Sequence, residues 1–397
     1  MPTTIDPQRR ALLGALLAAG TLQPWSSLCL AAGGNTNGNR LVLVILRGGM
    51  DGLFAAPAMG DPDFAAARGP LAQFATPALA LDSNFALHPQ LTQLHAMFGR
   101  AELAVVHAVG LPYRDRSHFD AQQVLESGGA RPYELSTGWL ARALDPGGAK
   151  GIALSTTVPL VLRGPGVVDT WAPSALPEPS VDLVARLERL YADDAALGAA
   201  LARAKTLHFG SAMPADRAAA VNARNRNFMT LAQRCAEFLA EPNGPQVAVL
   251  ELGGWDSHAN QSGPNGSTIN SLRQLDAGLA LLRDGLSQGD TWKRTVIVVS
   301  SEFGREVAVN GTQGTDHGSG GVVFVLGGAV NGGRVIVDWP GLAKKDRLDG
   351  RDLRSTTDLR SVFKGVLADH LQISARSLNT HVFPGSDNVK GLALLRA

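Results

Sequence analysis

Five short runs are apolar almost without interruption: RLVLVILRGG (40–49), AELAVVHAVG (101–110), PQVAVLELGG (245–254), RTVIVVSSEFG (294–304) and GGVVFVLGG (320–328). A strand with one wet face alternates apolar and polar residues. Runs without alternation fit strands covered on both faces, as in a parallel sheet. Helical patterns lie between them. HPQLTQLHAMFGRA (88–101) precedes the second run, and DRAAAVNARNRNFMTLAQRCAEFLAEP (216–242) the third. STINSLRQLDAGLALLRDGLSQG (267–289) follows the third, with Ile269, Leu272, Leu275, Leu279 and Leu282 on one stripe, and TTDLRSVFKGVLADHL (356–371) closes the chain. Strands alternating with helices predict an α/β fold with an open, mostly parallel sheet. The Pro- and Gly-rich stretch at about 130–215 holds a helix in SVDLVARLERLYADDAALGAALARA and reads as an insertion or cap.

The N-terminus differs in kind. Arg9 and Arg10 precede an apolar stretch from Ala11 to Leu22, then Pro24 and the small-residue stretch CLAAGGNTNGN. This predicts an export signal over residues 1–34, too short for a mature membrane span. The arginine pair points to the twin-arginine route; an ordinary secretory signal or an uncleaved anchor is the alternative. The mature domain then begins near residue 38 and lies in the periplasm or is secreted. Cleavage near residues 31–34 would remove Cys29 and leave Cys235 alone, so no intrachain disulfide forms. Cys235 reads as a buried thiol.

Lys plus Arg number 36 against 35 Asp plus Glu, and aromatic residues make up 6%. No basic field or stacking surface suggests a nucleic-acid partner.

In open parallel sheets a site forms beyond the carboxyl ends of the strands. Arg47 and Asp51 follow the first run. Arg114, Arg116, Ser117 and His118 follow the second, and Asp256 and His258 the third. Glu302 and Arg305 follow the fourth, and Asp316 and His317 precede the fifth. His88, His95, His208, His370 and His381 fall in or beside helices without carboxylates and read as packing or surface residues; His107 reads as a core histidine. Carboxylates and imidazoles converging on one sheet edge repel unless a cation sits among them. Mixed Asp, Glu and His donors fit zinc or manganese, one ion or two, better than an all-oxygen calcium site.

Each residue has a plainer reading. Asp51 fits a turn carboxylate, Glu302 an ion pair with Arg305, Asp316 a turn cap, and Ser117 the N-cap of HFDAQQVLES. That same helix start would let Ser117 attack an anionic centre.

LVLVILRGGMDGL, YRDRSHFDAQ, GGWDSHANQ, SSEFGREVAVNGTQGTDHG and WPGL together resemble a bacterial family of twin-arginine-exported proteins of unknown function. That family is grouped with the alkaline phosphatase and sulfatase superfamily. The resemblance runs from about residue 40 to 390. It implies a three-layer α/β/α sandwich, alkaline-phosphatase-like. It also implies that Asp51, Asp256, His258 and His317 stand at the superfamily's metal positions, and that Glu302-Phe303 replaces an Asp-His pair.

The expected activity is metal-dependent hydrolysis of a small anionic phosphate or sulfate ester. Asp256, His258 and His317 would hold one cation, and Asp51, Glu302 and His118 a second. Ser117 or water would attack, with Arg47, Arg114 or Arg116 neutralising the anion. The alternative is a non-catalytic exported binding or assembly protein with a degenerate site, since Phe303 cannot coordinate. A serine esterase would need a Gly-x-Ser-x-Gly elbow, which Ser117 lacks.

Overall fold

The structure is a computed structural model that describes residues 38–144, 150–173, 179–209 and 228–396. The chain divides into two units, residues 1–35 and 36–397, and the fold belongs to the second. The expected export signal, Cys29 and the first part of the helix expected from residue 216 lie outside the described residues.

The strand β1 (Arg40–Leu46) is buried at every position. It pairs in parallel on both sides, Leu43 opposite Val249 on one neighbour and Val298 on the other. That double pairing explains the unbroken apolar run: neither face meets water, and both edges are hydrogen-bonded. The other strands of this sheet are β2 (Leu103–Gly110), β3 (Gly151–Ala153), β4 (Val168–Thr170), β5 (Val247–Leu252), β6 (Thr295–Ser301), β7 (Gly321–Leu326), β8 (Arg334–Ile336) and β9 (Thr357–Asp358). Their order is β8-β2-β7-β6-β1-β5-β3-β4, with β9 joined to β2. All pairs are parallel except those of β7, which runs antiparallel to β2 and β6.

The helices used below are α1 (Gly52–Ala55), α2 (Thr92–Gly99), α3 (His118–Ser127), α4 (Trp139–Leu144), α5 (Val181–Leu190), α6 (Ala195–Phe209), α7 (Phe228–Ala240), α8 (Ser267–Leu286) and α9 (Leu359–Leu371). Successive side chains of a strand point to opposite faces. Val42, Val44 and Leu46 therefore join the core under α2, α7 and α8. Leu41, Leu43 and Ile45 join the core under α3, α4 and α9. The result is a three-layer α/β/α sandwich. Truncating a fully buried residue such as Leu43 to alanine would cost about 2–5 kcal/mol.

The 130–215 stretch supplies β3 and β4, which extend the sheet beyond β5 in parallel. It then forms α5 and α6; no residue of α5 is buried. Among the described residues no helix is long and apolar enough to cross a membrane. His107 is fully buried, and its Nε2 bonds to the Ala56 carbonyl at 2.9 Å. Cys235 is buried, and burial pushes its thiol pKa up.

Strand direction fixes where the chemistry can gather. β1, β2, β5 and β6 point the same way, so their carboxyl ends share one edge. β7 runs the other way, so the residues before it arrive at that same edge.

Candidate metal centre

Three chain segments deliver four donors to this edge. His118 opens α3, just beyond β2. Asp256 and His258 follow β5, and His317 precedes β7. His118, Asp256 and His317 offer ligand atoms within 4.8 Å of one another. Asp256 Oδ1 lies 3.2 Å from His317 Nε2 and 3.6 Å from His118 Nε2. His317 Nε2 lies 3.1 Å from His118 Nε2. His258 Nε2 joins the group at 2.9 Å from Asp256 Oδ1 and 3.1 Å from His317 Nε2. Neighbouring ligands on one first-row divalent ion, at bonds of about 2.0–2.1 Å, lie about 2.9–3.4 Å apart. Four of these five distances fall in that range, and the Asp256–His118 distance of 3.6 Å lies just beyond it.

The other nitrogen of each ring decides what faces the centre. His118 Nδ1 donates to Glu302 Oε1 at 2.8 Å. His258 Nδ1 donates to Asp316 Oδ1 at 2.8 Å. His317 Nδ1 donates to the Arg116 carbonyl at 2.9 Å. An imidazole that donates through Nδ1 presents a lone pair at Nε2 when neutral. With all three rings neutral, three such lone pairs and one carboxylate oxygen gather at the centre with no hydrogen among them. A divalent cation relieves that repulsion, and backing each ligand imidazole with an acceptor is how proteins orient such ligands. Three nitrogens and one oxygen suit zinc, manganese or iron.

The charges around the centre are set by burial and pairing. Arg305, only 2% exposed, donates to Asp256 Oδ1 at 2.7 Å. Burial pushes the Asp256 carboxyl up, but the Arg305 bond and charge outweigh it and hold it below its usual value. The hydrogen bond to Glu302 raises the His118 pKa against the opposing effect of burial. Burial lowers that of His317, with the charges of His118 and Arg305 adding to it. The hydrogen bond from His258 holds the Asp316 carboxyl low. The centre is open: the side chains of Asp256 and His258 are 44% and 46% exposed.

Two expected ligands are committed elsewhere. Glu302 is fully buried and stands behind His118. Its Oε1 also accepts from Gly48 N at 2.9 Å and Gln122 Nε2 at 3.0 Å, and its Oε2 from Ser301 Oγ at 2.9 Å. Burial pushes its carboxyl up, yet these donors, His118 first, bring it below its usual value. Gly48 allows this approach: at φ +120, a Cβ there would lie 2.6 Å from the Asp256 amide nitrogen. Asp51 caps α1 by accepting from Phe54 N at 3.1 Å. Its other oxygen takes the Arg68 guanidinium and Gln261 Nε2, the latter at 2.7 Å. The plainer reading of Asp51 as a turn carboxylate describes its contacts.

The arginines divide in the same way. Arg47 sits between Glu126 and Glu251, each at 2.7 Å. Burial works against its charge, but those two carboxylates raise its pKa. Arg116 is held by Asp352 at 2.8 Å and offers the centre its carbonyl rather than its guanidinium. Arg114 is exposed and bonds Ser355 Oγ at 2.6 Å. Ser117 is the N-cap residue of α3, but its hydroxyl makes no cap bond.

Four contributors escaped the sequence reading or had another role there. Arg305 pairs with Asp256, not with Glu302. Asp316 orients His258 from behind. Gln122 stands one helical turn after His118, the spacing that puts two side chains on one face, and both reach Glu302. Phe303 walls the centre, its ring centroid 4.7 Å from that of His118 and 5.2 Å from that of His317.

The profile of a family described as protein of unknown function (DUF1501) matches residues 39–379, and the chain belongs to that family. No curated protein sequence matches it. Several solved structures resemble it weakly. The phosphonate monoester hydrolase of Agrobacterium radiobacter is 13% identical at a TM-score of 0.40, over 84% of this chain and 74% of that one. The lipoteichoic acid synthase LtaP of Listeria monocytogenes is 10% identical at 0.41, over 88% and 77%. The C-terminal periplasmic domain of EcEptC from Escherichia coli, in complex with Zn, is 12% identical at 0.35, over 74% of each chain. These are likenesses of fold, and no residue role is carried over from them.

Proposed function

We propose that this DUF1501 protein is an exported hydrolase of phosphate or sulfate esters that works with one divalent ion, zinc or manganese. The observation that carries this reading is the set of His118, His258 and His317, each with Nδ1 bonded away from the centre, around Asp256 Oδ1. One ion fits better than two, because Asp51 and Glu302 already spend their oxygens on protein donors. When bound there, a divalent ion supplies Lewis-acid polarisation of an ester oxygen and acidifies a water.

The chain's own residues do the rest. Arg305 keeps Asp256 ionised. Arg114, exposed and without a carboxylate partner among the described residues, is free to meet the anionic group. Ser117, beside His118 at the positive end of α3, is the candidate nucleophile from the protein. Export rests on Arg9, Arg10 and the apolar stretch after them, with the working domain spanning residues 38–397 in the periplasm or outside the cell.

The test is a screen of phosphate monoesters, phosphate diesters and sulfate esters with purified protein supplied with zinc or manganese. Turnover lost in both Asp256→Asn and His317→Ala supports the reading. Turnover unchanged in those variants, or absent from a protein that binds its ion, refutes hydrolysis at this centre. The second outcome favours an exported binding or assembly protein, for which the Phe303 ring, packed against His118 and His317 and unable to coordinate, is the supporting observation.

A further inference from the structure

We infer that Asp352 is a positioning residue for this centre and acts on His317 through the backbone of Arg116. Arg116 has φ +60, a conformation that side-chain-bearing residues avoid. This turn of the chain aims its carbonyl at His317 Nδ1, 2.9 Å away. The bond determines which nitrogen of His317 carries the hydrogen, and so that Nε2 faces Asp256.

The left-handed turn is held from the far side. Arg116 Nε donates to Asp352 Oδ2 at 2.8 Å, and its Nη2 reaches Asp349 at 3.4 Å. Asp352 is fully buried, and the same oxygen accepts from Ser319 Oγ at 3.0 Å. Its main chain is bridged to Glu306 and Leu348, so the carboxylate has little room to move. The neighbouring Arg351 donates to the His317 carbonyl at 3.0 Å. Residues 349–352 thus grip His317 twice, at its own carbonyl and, through Arg116, at its ring. A buried carboxylate that lost its cation partner would be costly, so the Asp352–Arg116 pair resists opening.

The plainer alternative is that the pair only ties the 345–353 loop to the segment before α3. The alternatives differ in what they do to the His317 ring. The inference rests on the ion-site reading for its effect on affinity, but not for its effect on the ring tautomer.

The test uses the full domain with histidine nitrogens labelled, first freed of ions at pH 8 and then titrated with zinc against a chelator. In the ion-free wild type, His317 should be the Nδ1–H tautomer. In Asp352→Asn it should become a mixture, and zinc affinity should fall about 10- to 100-fold, the usual effect of removing support behind a ligand. Arg116→Gly and Arg116→Ala both remove the guanidinium and keep the carbonyl, but only glycine takes φ +60 freely. Arg116→Gly should therefore keep more affinity and more of the wild-type tautomer than Arg116→Ala. This comparison carries the test if Asp352→Asn does not fold. An unchanged tautomer in folded Asp352→Asn, or equal behaviour of the two Arg116 variants, overturns the inference. A wild type that binds no zinc while the tautomer shifts as stated removes the ion-site reading and leaves the positioning role in place.

Discussion

His118 Nδ1 lies 2.8 Å from Glu302 Oε1, and Glu302 is fully buried behind it. The carboxylate fixes the ring and turns Nε2 toward Asp256. Glu302→Gln keeps the shape but removes the charge. It should weaken ion binding about 10- to 100-fold, against a larger loss in His118→Ala. Zinc titration against a chelator measures both. Equal losses in the two variants would instead point to Glu302 touching the ion.

Asp51 should matter for stability rather than for the ion. Asp51→Asn leaves Arg68, which is fully buried, without its counter-charge. Such a loss costs about 3–5 kcal/mol. Urea denaturation should show that drop, while the ion content of the folded fraction stays at the wild-type level. A variant of normal stability that loses its ion would restore Asp51 as a ligand.

The fold should weaken in mild acid. Burial lowers the pKa of His107 from 6.5 to about 4, partly offset by its bond to Ala56. Burial and then the charge of Arg273 lower that of His88 from 6.5 to about 4. In both, the folded value lies below the unfolded one, so the unfolded chain takes up the proton first. The stability held above pH 6.5 is lost as the pH falls from 6.5 to 4, by up to about 3 kcal/mol per histidine. Urea midpoints measured between pH 7.5 and 4.5 should show this slope. In His107→Phe the slope should be shallower, even if the midpoint at pH 7.5 is lower. An identical slope would show that His107 does not contribute.

Arg114 and Arg47 should separate. A hydrogen bond to a charged group contributes about 1.5–3 kcal/mol, or about 10- to 100-fold in binding. Arg114→Met should therefore raise KM, or the Kd of a phosphonate inhibitor, by that factor and leave the urea midpoint unchanged. Arg47→Met leaves Glu126 and Glu251 without their shared cation and should lower the midpoint. Reversed effects would move the anion-binding role to Arg47.

The sheet was legible because its strands are covered on both faces, and β1, β2, β5, β6 and β7 all lie within unbroken apolar runs. The strands β3 and β4 were not: three residues each, among prolines and glycines, leave no period to read. The helix expected over 88–101 shortens to Thr92–Gly99, where the buried carboxylate of Asp276 accepts from the Gln93 and Leu94 amides. That partner lies 182 residues from Leu94 in sequence. The same limit governs the centre. Strand direction alone brings His118, Asp256, His258 and His317 to one edge. Whether a carboxylate faces the centre or stands behind it depends on long-range partners. Asp51 is claimed by Arg68 and Gln261, and Glu302 by His118 and Gln122, and none of those pairings has a local pattern.

Ion content of the purified, folded protein tests the central claim most directly. Elemental analysis of the wild type, after mild dialysis, should give about one divalent ion per chain, and His258→Ala and His317→Ala should fold but hold far less. Folded wild type without a stoichiometric ion, or variants that keep it in full, would contradict a metal centre at His118, Asp256, His258 and His317.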